Sequence, residues 1–346
     1  MTVPDSAPMA PSPAPLMQLA TGFWASKTLA AAHELDLFTR LSGTDGTTTD
    51  GLAAELGLHP RPAEMLLTGC AALGLLEKNG DAYVNSPHAE EFLVRGKPYY
   101  FGGFVTMLDQ RLYPGWGKLT EAIRTNRPTT WDPERQTSIF ADVDPELLSV
   151  FWEAMHSLSS YTAHSLGATI DLSDHRRLLD VGGGSGAYDI ELCRLYPDLT
   201  ASVYELADVA GFAAGKIKEA GLSERIQTIT GDFFTDPVYP AGHDLILLSM
   251  IMHDWNEEHD HEILQKCWAA LPSGGELIIS ELLVDDDKAG PPAAALMSLN
   301  MLIETEGRNY TSAEYTAWLR DLGFTDVRTV RFDAPGANGA VIGRKP

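Results

Sequence analysis

The sequence predicts an α/β protein in which a doubly wound, mostly parallel sheet follows a helical N-terminal module. From residue 177 to residue 279, short apolar runs alternate with helix-length segments, a pattern typical of parallel strands joined by helices. The last two runs, 326–332 and 339–344, are separated by a loop too short for a helical crossover. We therefore expect them to pair as an antiparallel hairpin at one edge of the sheet.

Five further runs predict the parallel strands, since each is short, apolar and followed by a longer amphipathic segment. In chain order they are 177–181, 201–204, 225–229, 244–248 and 276–279.

The N-terminal part predicts a winged-helix module. Residues 17–41 have helical periodicity, a short helix is expected over 51–56 with a cap from residues 47–50, and a second one over 60–76. Asn79-Gly80 then predicts a two-residue hairpin turn with positive φ at both positions. The predicted domains are a disordered arm (1–15), a winged-helix dimerisation domain (16–100), a helical bridge (101–170) and a ligand-binding domain (171–346).

Composition excludes several classes of function. The chain has 346 residues, with 48 acidic and 25 basic side chains and a formal net charge of −23, which disfavours nucleic acid as a partner. No apolar run approaches the roughly 18 residues that a membrane-spanning helix needs. The three cysteines lack a CxxC pair, so a cytoplasmic location is the simplest expectation. A winged-helix regulator that binds a small effector stays open as an alternative, although residues 49–86 carry no basic stripe for DNA.

A glycine-rich loop follows the first parallel strand and predicts a nucleotide-type cofactor site. Asp180 ends the strand, and Gly182 and Gly184 leave room for a ligand at the carboxyl edge of a Rossmann-like sheet. Glu205, followed by Leu206, ends the next strand and is placed to bind ribose hydroxyls. The antiparallel hairpin, together with Asp232 and Phe233 after the third strand, favours S-adenosylmethionine over NAD as the cofactor. Because the glycine pattern alone does not separate the two cofactors, an NAD-dependent reductase stays open as the second alternative function.

A histidine and a carboxylate end the fourth and fifth strands. His253 lies just beyond the fourth, where ligands bind in open α/β sheets, and Glu281 ends the fifth. Adjacent strands would bring the two groups together, so that Glu281 could fix the tautomer of His253 acting as a base.

These motifs, in this order, resemble the caffeate-type small-molecule O-methyltransferases. The resemblance rests on the loop 180–186, on residues 231–234, on His253-Asp254-Trp255 and on Glu281, and it covers nearly the whole chain after residue 15. It implies a homodimer that uses S-adenosylmethionine, with a methyltransferase sheet behind a winged-helix dimerisation domain.

The same resemblance implies individual roles. Gly182 would contact the cofactor, Glu205 would bind ribose, Asp232 and Phe233 would bind adenine, and Ser159 would reach the methionine part. Ser249 stands where plant relatives often have lysine. His253 would be the general base and Glu281 the first of two flanking carboxylates, while Asn309 occupies the position of the second.

A final set of residues falls in segments that line the acceptor pocket of similar enzymes, although the methionines could equally be ordinary core. They are Met107, Trp116, Met155, Asp254, Met297, Asn300 and Met301.

The predicted reaction is O-methylation of a small phenolic, natural-product-type acceptor. Since a phenolate also has a nucleophilic ortho carbon, C-methylation of a hydroxy-aromatic compound such as an aromatic amino acid stays open. No metal site is predicted, because the acidic clusters at 257–261 and 285–287 are interpreted as solvated charge.

Overall fold

The computed structural model describes residues 12–135 and 145–346, and the chain divides into two compact units, residues 1–109 and 110–346. The division falls inside the predicted helical bridge. Most of the predicted N-terminal arm lies outside the described residues, and the first helix already begins at Ala14. The predicted domain boundaries stay predictions.

The N-terminal unit consists of short helices and one hairpin. Its helices are α1 (Ala14–Ala20), α2 (Gly22–Glu34), α3 (Leu37–Leu41), α4 (Thr49–Leu56), α5 (Pro60–Ala72), α6 (Pro87–Phe92) and α7 (Gly102–Met107). Its strands are β1 (Leu76–Asn79) and β2 (Ala82–Asn85), which pair antiparallel. The predicted order of helix, helix and hairpin is present, and the assignment of a winged helix stays a prediction.

Local sequence signals explain where these elements begin and turn. The Thr48 side chain caps α4 by accepting a hydrogen bond from the Gly51 amide. The hairpin turn differs from the prediction, because Asn79 pairs with Ala82 and the two turn residues are Gly80 and Asp81. Only Gly80 has a positive φ, as expected for a turn with glycine at its first central position.

The C-terminal unit contains the sheet and its helices. A π-helical turn (Leu108–Leu112) includes the division between the units. The helices of the C-terminal unit are α8 (Tyr113–Trp116), α9 (Leu119–Thr125), α10 (Pro145–Thr169), α11 (Ala187–Leu195), α12 (Ala207–Glu219), α13 (Glu257–Ala270), α14 (Pro292–Glu304) and α15 (Ser312–Asp321). The strands are β3 (Arg177–Val181), β4 (Thr200–Glu205), β5 (Ile226–Thr230), β6 (Leu245–Ser249), β7 (Glu276–Glu281), β8 (Thr325–Arg331) and β9 (Gly339–Arg344).

The seven strands form one sheet in the order β5-β4-β3-β6-β7-β9-β8. Strands β3 to β7 are parallel, and β9 lies antiparallel between β7 and β8. The predicted doubly wound sheet with an antiparallel final hairpin is confirmed. Because the order reverses between β3 and β6, the carboxyl ends of these strands flank the crevice where ligands bind in such sheets.

Two apolar layers cover the faces of the sheet. One contains Leu178 and Leu247 with residues of α10 and α11, and the other contains Leu179 and Ile246 with residues of α13 and α15. Consecutive residues of a strand point to opposite faces of the sheet, so a strand that is buried on both faces is apolar throughout. This is why continuous apolar runs in the sequence predict these strands.

Candidate active site

The glycine loop turns sharply from β3 into α11. Gly182, Gly184 and Gly186 all have φ between +53° and +72°, which disfavours any residue with a Cβ atom. The Gly182 amide donates to the Tyr204 carbonyl at 2.9 Å, which fixes the loop against the end of β4. The loop therefore presents bare backbone at the carboxyl edge of the sheet.

Segments that follow three strands meet at Gly182. A Cβ atom on Gly182 would lie 2.6 Å from Cδ1 of Ile251, in the segment after β6, and 3.4 Å from Cε1 of Phe233, in the segment after β5. The glycine loop, the predicted adenine site and the segment that carries His253 are thus in direct contact. Sequence spacing predicted that these segments share an edge, and the structure brings them together.

Glu205 ends β4 and binds the backbone of the loop. Its carboxylate accepts hydrogen bonds from the amides of Gly184 at 3.1 Å and of Leu206 at 2.8 Å. Burial raises the pKa of Glu205, and the two amide hydrogen bonds oppose that rise. A carboxylate has lone pairs beyond these two bonds, so it can also accept from ribose hydroxyls.

A pair of buried carboxyl groups lies beneath the loop. Asp180 and Asp189 are both fully buried, and their carboxyl groups lie within hydrogen-bond distance of each other. Burial, followed by repulsion from Asp189, raises the pKa of Asp180, and burial raises the pKa of Asp189 to about 7. The loop thus rests on a buried acidic pair in which the raised pKa values favour a shared proton.

The predicted pair of histidine and carboxylate is formed. Nδ1 of His253 lies 2.5 Å from Oε2 of Glu281, and both side chains are buried. The other carboxylate oxygen of Glu281 accepts from the Met252 amide at 3.1 Å, which anchors it at the end of β7. Since Glu281 holds Nδ1, Nε2 is the nitrogen left for exchanging a proton with an acceptor.

The charges around His253 control its protonation. Burial lowers its pKa, but the carboxylates of Glu281 and Asp254 outweigh burial and raise the pKa to about 9. Burial raises the pKa of Asp254 to about 6, against the attraction of His253. The two carboxylates thus favour the protonated imidazole, and a rise in pH favours the neutral form that can act as a base.

Asn309 lies in a segment packed against the backbone of the histidine segment. A Cβ atom on Gly307 would lie 2.1 Å from the carbonyl oxygen of His253, so only glycine allows this approach. The Asn309 amide nitrogen Nδ2 donates to the Leu282 carbonyl at 2.9 Å, while Oδ1 is buried without a partner. An acceptor hydroxyl or a water molecule could satisfy that oxygen.

The 110–131 segment and α14 form a polar wall. Nε1 of Trp116 donates to Oδ1 of Asn300 at 2.9 Å, which unites two residues of the predicted acceptor set. One turn further along α14, Glu304 accepts from Nε of Arg111 at 3.0 Å. This ion pair is partly buried and was not anticipated, since nothing in the sequence pairs residues so far apart.

The contacts of the remaining predicted site residues do not bear directly on their predicted roles, which stay predictions. Met107 belongs to the N-terminal unit. Ser249 is buried opposite Ser280, and Asp232 accepts from the amide of Phe234. Met155 and Ser159 are partly buried on α10, Met297 packs against a small cluster beside β7, and Met301 is buried.

The structure corrects the interpretation of the acidic cluster at residues 257–261 as solvated charge. Asp260 is fully buried, not solvated as predicted, because it shares the inner face of α13 with Ile263, Leu264 and Cys267. Burial and the Glu281 charge raise its pKa to about 9. Residues 285–287 are exposed as expected.

One contact at the glycine loop was not predicted. His156 on α10, which carried no motif signal, contacts Ser185 in this loop.

Comparison with known proteins identifies the family. A sequence model described as the O-methyltransferase domain matches residues 116–325, more than half of the chain, and one described as the O-methyltransferase dimerisation domain matches residues 17–95. The chain belongs to the O-methyltransferase family. This membership confirms the predicted resemblance, the predicted enzyme class and the predicted cofactor, S-adenosylmethionine, at the level of the family. It argues against the two alternatives, an NAD-dependent reductase and a winged-helix regulator.

Relatives match this O-methyltransferase along nearly its whole length. The 3-hydroxy-5-methyl-1-naphthoate 3-O-methyltransferase of Streptomyces sahachiroi is 52% identical, with 96% of this chain and 95% of that protein covered. The tetracenomycin polyketide synthesis 8-O-methyl transferase TcmO of Streptomyces glaucescens is 36% identical, with coverages of 96% and 97%. The crystal structure of human N-acetylserotonin methyltransferase in complex with SAM has a TM-score of 0.84 at 28% identity and covers 98% of this chain and 99% of that one.

Within the described residues, no helix combines the length and apolar character needed to cross a bilayer, and no three potential metal ligands converge. The cytoplasmic location stays a prediction.

Proposed function

We propose that this O-methyltransferase transfers the methyl group of S-adenosylmethionine to a phenolic oxygen of a small hydroxy-aromatic acceptor, with His253 as the general base. The observation that carries the proposal is the buried pair of His253 and Glu281, 2.5 Å apart, in a segment that touches Gly182 of the glycine loop. This proximity supports the proposal that His253 accepts a proton close to the expected position of the methyl donor.

The residues at the loop fit the proposed cofactor. Gly182 and Gly184 turn the loop backbone along the carboxyl edge of the sheet, and Glu205 supplies a carboxylate for the ribose hydroxyls. Asp180 supplies an acidic group beneath the loop, whose negative charge would attract the ammonium group of the methionine part. When bound, the cofactor supplies a methyl group on a positively charged sulfur, so the leaving thioether is neutral.

His253 moves the proton. With Nδ1 held by Glu281, Nε2 takes the proton of the phenolic hydroxyl, whose solution pKa is about 10. The phenolate oxygen then forms the new bond to the methyl carbon as the bond between carbon and sulfur breaks, with its electron pair remaining on sulfur. Glu281 stabilises the imidazolium that forms, and the proton is later released to water.

The acceptor is best described as a fused or single-ring phenol. The relative of 52% identity is a hydroxynaphthoate 3-O-methyltransferase, and here Trp116 and Asn300 offer an aromatic face and an amide in one wall. Oxygen is favoured over the ortho carbon, because most of the phenolate charge remains on oxygen and attack by the carbon would interrupt the aromaticity of the ring.

The test is methyl transfer followed by product analysis. Purified protein is incubated with S-adenosylmethionine carrying a carbon-13 methyl group and a panel of hydroxynaphthoates and simple phenols. We expect a product signal in the methoxy region of the carbon-13 spectrum. An aromatic-methyl signal would establish C-methylation instead, and the absence of transfer to every phenol would contradict the proposed acceptor class.

We also propose that the protein acts as a homodimer. The dimerisation domain matched at residues 17–95 begins with α1 and α2, which carry exposed apolar side chains, including Leu19 (80% exposed) and Trp24 (63% exposed). A second copy of the chain would cover this apolar surface, which a lone chain leaves in water.

A further inference from the structure

Helix α10 contacts the glycine loop through two side chains one turn apart. A Cβ atom on Gly184 would lie 3.4 Å from Cζ3 of Trp152, so the indole ring covers this glycine. Nδ1 of His156 lies 2.9 Å from Oγ of Ser185, within hydrogen-bond distance. These contacts join two elements that are about 30 residues apart in sequence.

The contact to Ser185 matters because of its position in the loop. Ser185 lies between Gly184 and Gly186, both with positive φ, and glycine has many accessible conformations when nothing restrains it. Its hydroxyl is buried, and the loop's other anchors include the bonds from the Gly184 amide to Glu205 and from the Gly182 amide to the Tyr204 carbonyl. A side chain that fixes Ser185 therefore reduces the number of conformations open to the loop.

His156 makes this contact as a neutral group. Burial, with the charges of Lys216 and Arg194, lowers its pKa to about 4 against the opposing charge of Glu153. An imidazole that stays uncharged at neutral pH can bond to a hydroxyl without placing a positive charge beside a cationic cofactor.

We propose that His156 is a positioning residue that holds Ser185, and through it the glycine loop, in the conformation that receives S-adenosylmethionine. The inference rests on the proposed function, because it takes the loop to be the cofactor site. His156 touches neither acceptor nor reacting atoms in this account, so its removal weakens cofactor binding without removing the general base.

The test compares two substitutions at position 156. His156→Leu removes the hydrogen bond, whereas in His156→Asn the amide can reach the place of Nδ1 and retain it. Calorimetric titration with S-adenosylhomocysteine should show affinity about five- to tenfold weaker for His156→Leu, the scale of one net hydrogen bond, and within twofold of the unchanged protein for His156→Asn. The KM for S-adenosylmethionine should rise in parallel, with kcat at saturating cofactor nearly unchanged.

A double-mutant cycle separates positioning from general destabilisation. Ser185→Ala should weaken binding like His156→Leu, and the double variant should be no weaker than either single one, because both remove the same bond. Ser157→Ala is the matched control on α10, since the Ser157 hydroxyl bonds only within its own helix, to the Glu153 carbonyl at 2.8 Å. We expect it to bind like the unchanged protein.

Three results would overturn the inference. Unchanged affinity in a folded His156→Leu protein, or additive losses in the double variant, would remove the positioning role and leave the proposed function intact. Failure of the unchanged protein to bind S-adenosylhomocysteine would instead overturn the proposed cofactor site, and this inference with it.

Discussion

The two units of the chain differ in what they bury and what they expose. The described part of the N-terminal unit, residues 12–109, buries no carboxylate, yet its first two helices leave Leu19, Phe23 and Trp24 largely exposed. The described part of the C-terminal unit buries several ionisable groups at the carboxyl edge of its sheet, including Asp180, Glu205, His253 and Glu281 in a single region.

This difference indicates a division of labour. An exposed apolar surface costs free energy until another surface covers it, which suits association. Buried charges cost free energy unless they are paired, and they have strongly shifted pKa values, which suits catalysis. If the comparison is right, substitutions in one unit should change association and substitutions in the other should change chemistry.

The largest expected effect is on association. Trp24→Asp places a charge in the apolar surface of α2, and in a twofold dimer the change occurs twice. If each of the two substituted residues weakens the dimer by about 2 kcal/mol, as a substitution at the centre of an interface does, the dimer dissociation constant should rise by a hundredfold or more. Sedimentation velocity across a concentration series measures this constant.

Val238→Asp is the matched control, because Val238 is equally apolar and 70% exposed but lies in the C-terminal unit. It should leave the dimer intact. Equal dissociation by both variants, or none by Trp24→Asp, would break the proposed assignment of association to the N-terminal unit.

The second expected effect is on the pH dependence of catalysis. Since Glu281 raises the pKa of His253, Glu281→Gln should lower that pKa. The base must be deprotonated to act, so kcat/KM rises with pH through this pKa, and its half-maximal point should move to lower pH in the variant. We also expect kcat to fall by about tenfold, because the imidazolium loses its stabilising charge. A pH profile that does not move would show that Glu281 does not set the protonation of His253.

The third effect concerns the cofactor. Glu205→Ala should weaken S-adenosylhomocysteine binding by about 1–3 kcal/mol through the loss of charge-assisted hydrogen bonds, including the one that holds the Gly184 amide. Calorimetry measures this effect. Glu205→Gln, which removes the charge and keeps the size of the side chain, shows how much of the effect is due to charge alone. Affinity equal to that of the unchanged protein would remove Glu205 from the ribose site.

Much of the fold and the centre of the site could be predicted because the signals are local. The parallel strands are continuous apolar runs, and the glycine loop follows its strand directly. His253 lies in the turn after β6, and Glu281 ends the neighbouring strand β7. Neighbouring parallel strands share an edge, so the pairing of histidine with glutamate followed from the topology.

What the sequence did not reveal depends on tertiary contacts. Asp260 reads as a surface acid within an acidic cluster, and only the orientation of α13 shows that it faces the core. The bond from His156 to Ser185 joins residues 29 positions apart and has no motif. The hairpin turn was misplaced by one residue, since Asn-Gly and Gly-Asp both suit a tight turn and only the strand register distinguishes them.

The most direct test of the central claim is the effect of His253→Asn on turnover, measured together with cofactor affinity. The account predicts that kcat falls by about a hundredfold or more, the usual contribution of a general base, while the dissociation constant of S-adenosylhomocysteine stays within about twofold. A folded His253→Asn protein that retains near-normal kcat would contradict the assignment of His253 as the base that prepares the acceptor oxygen.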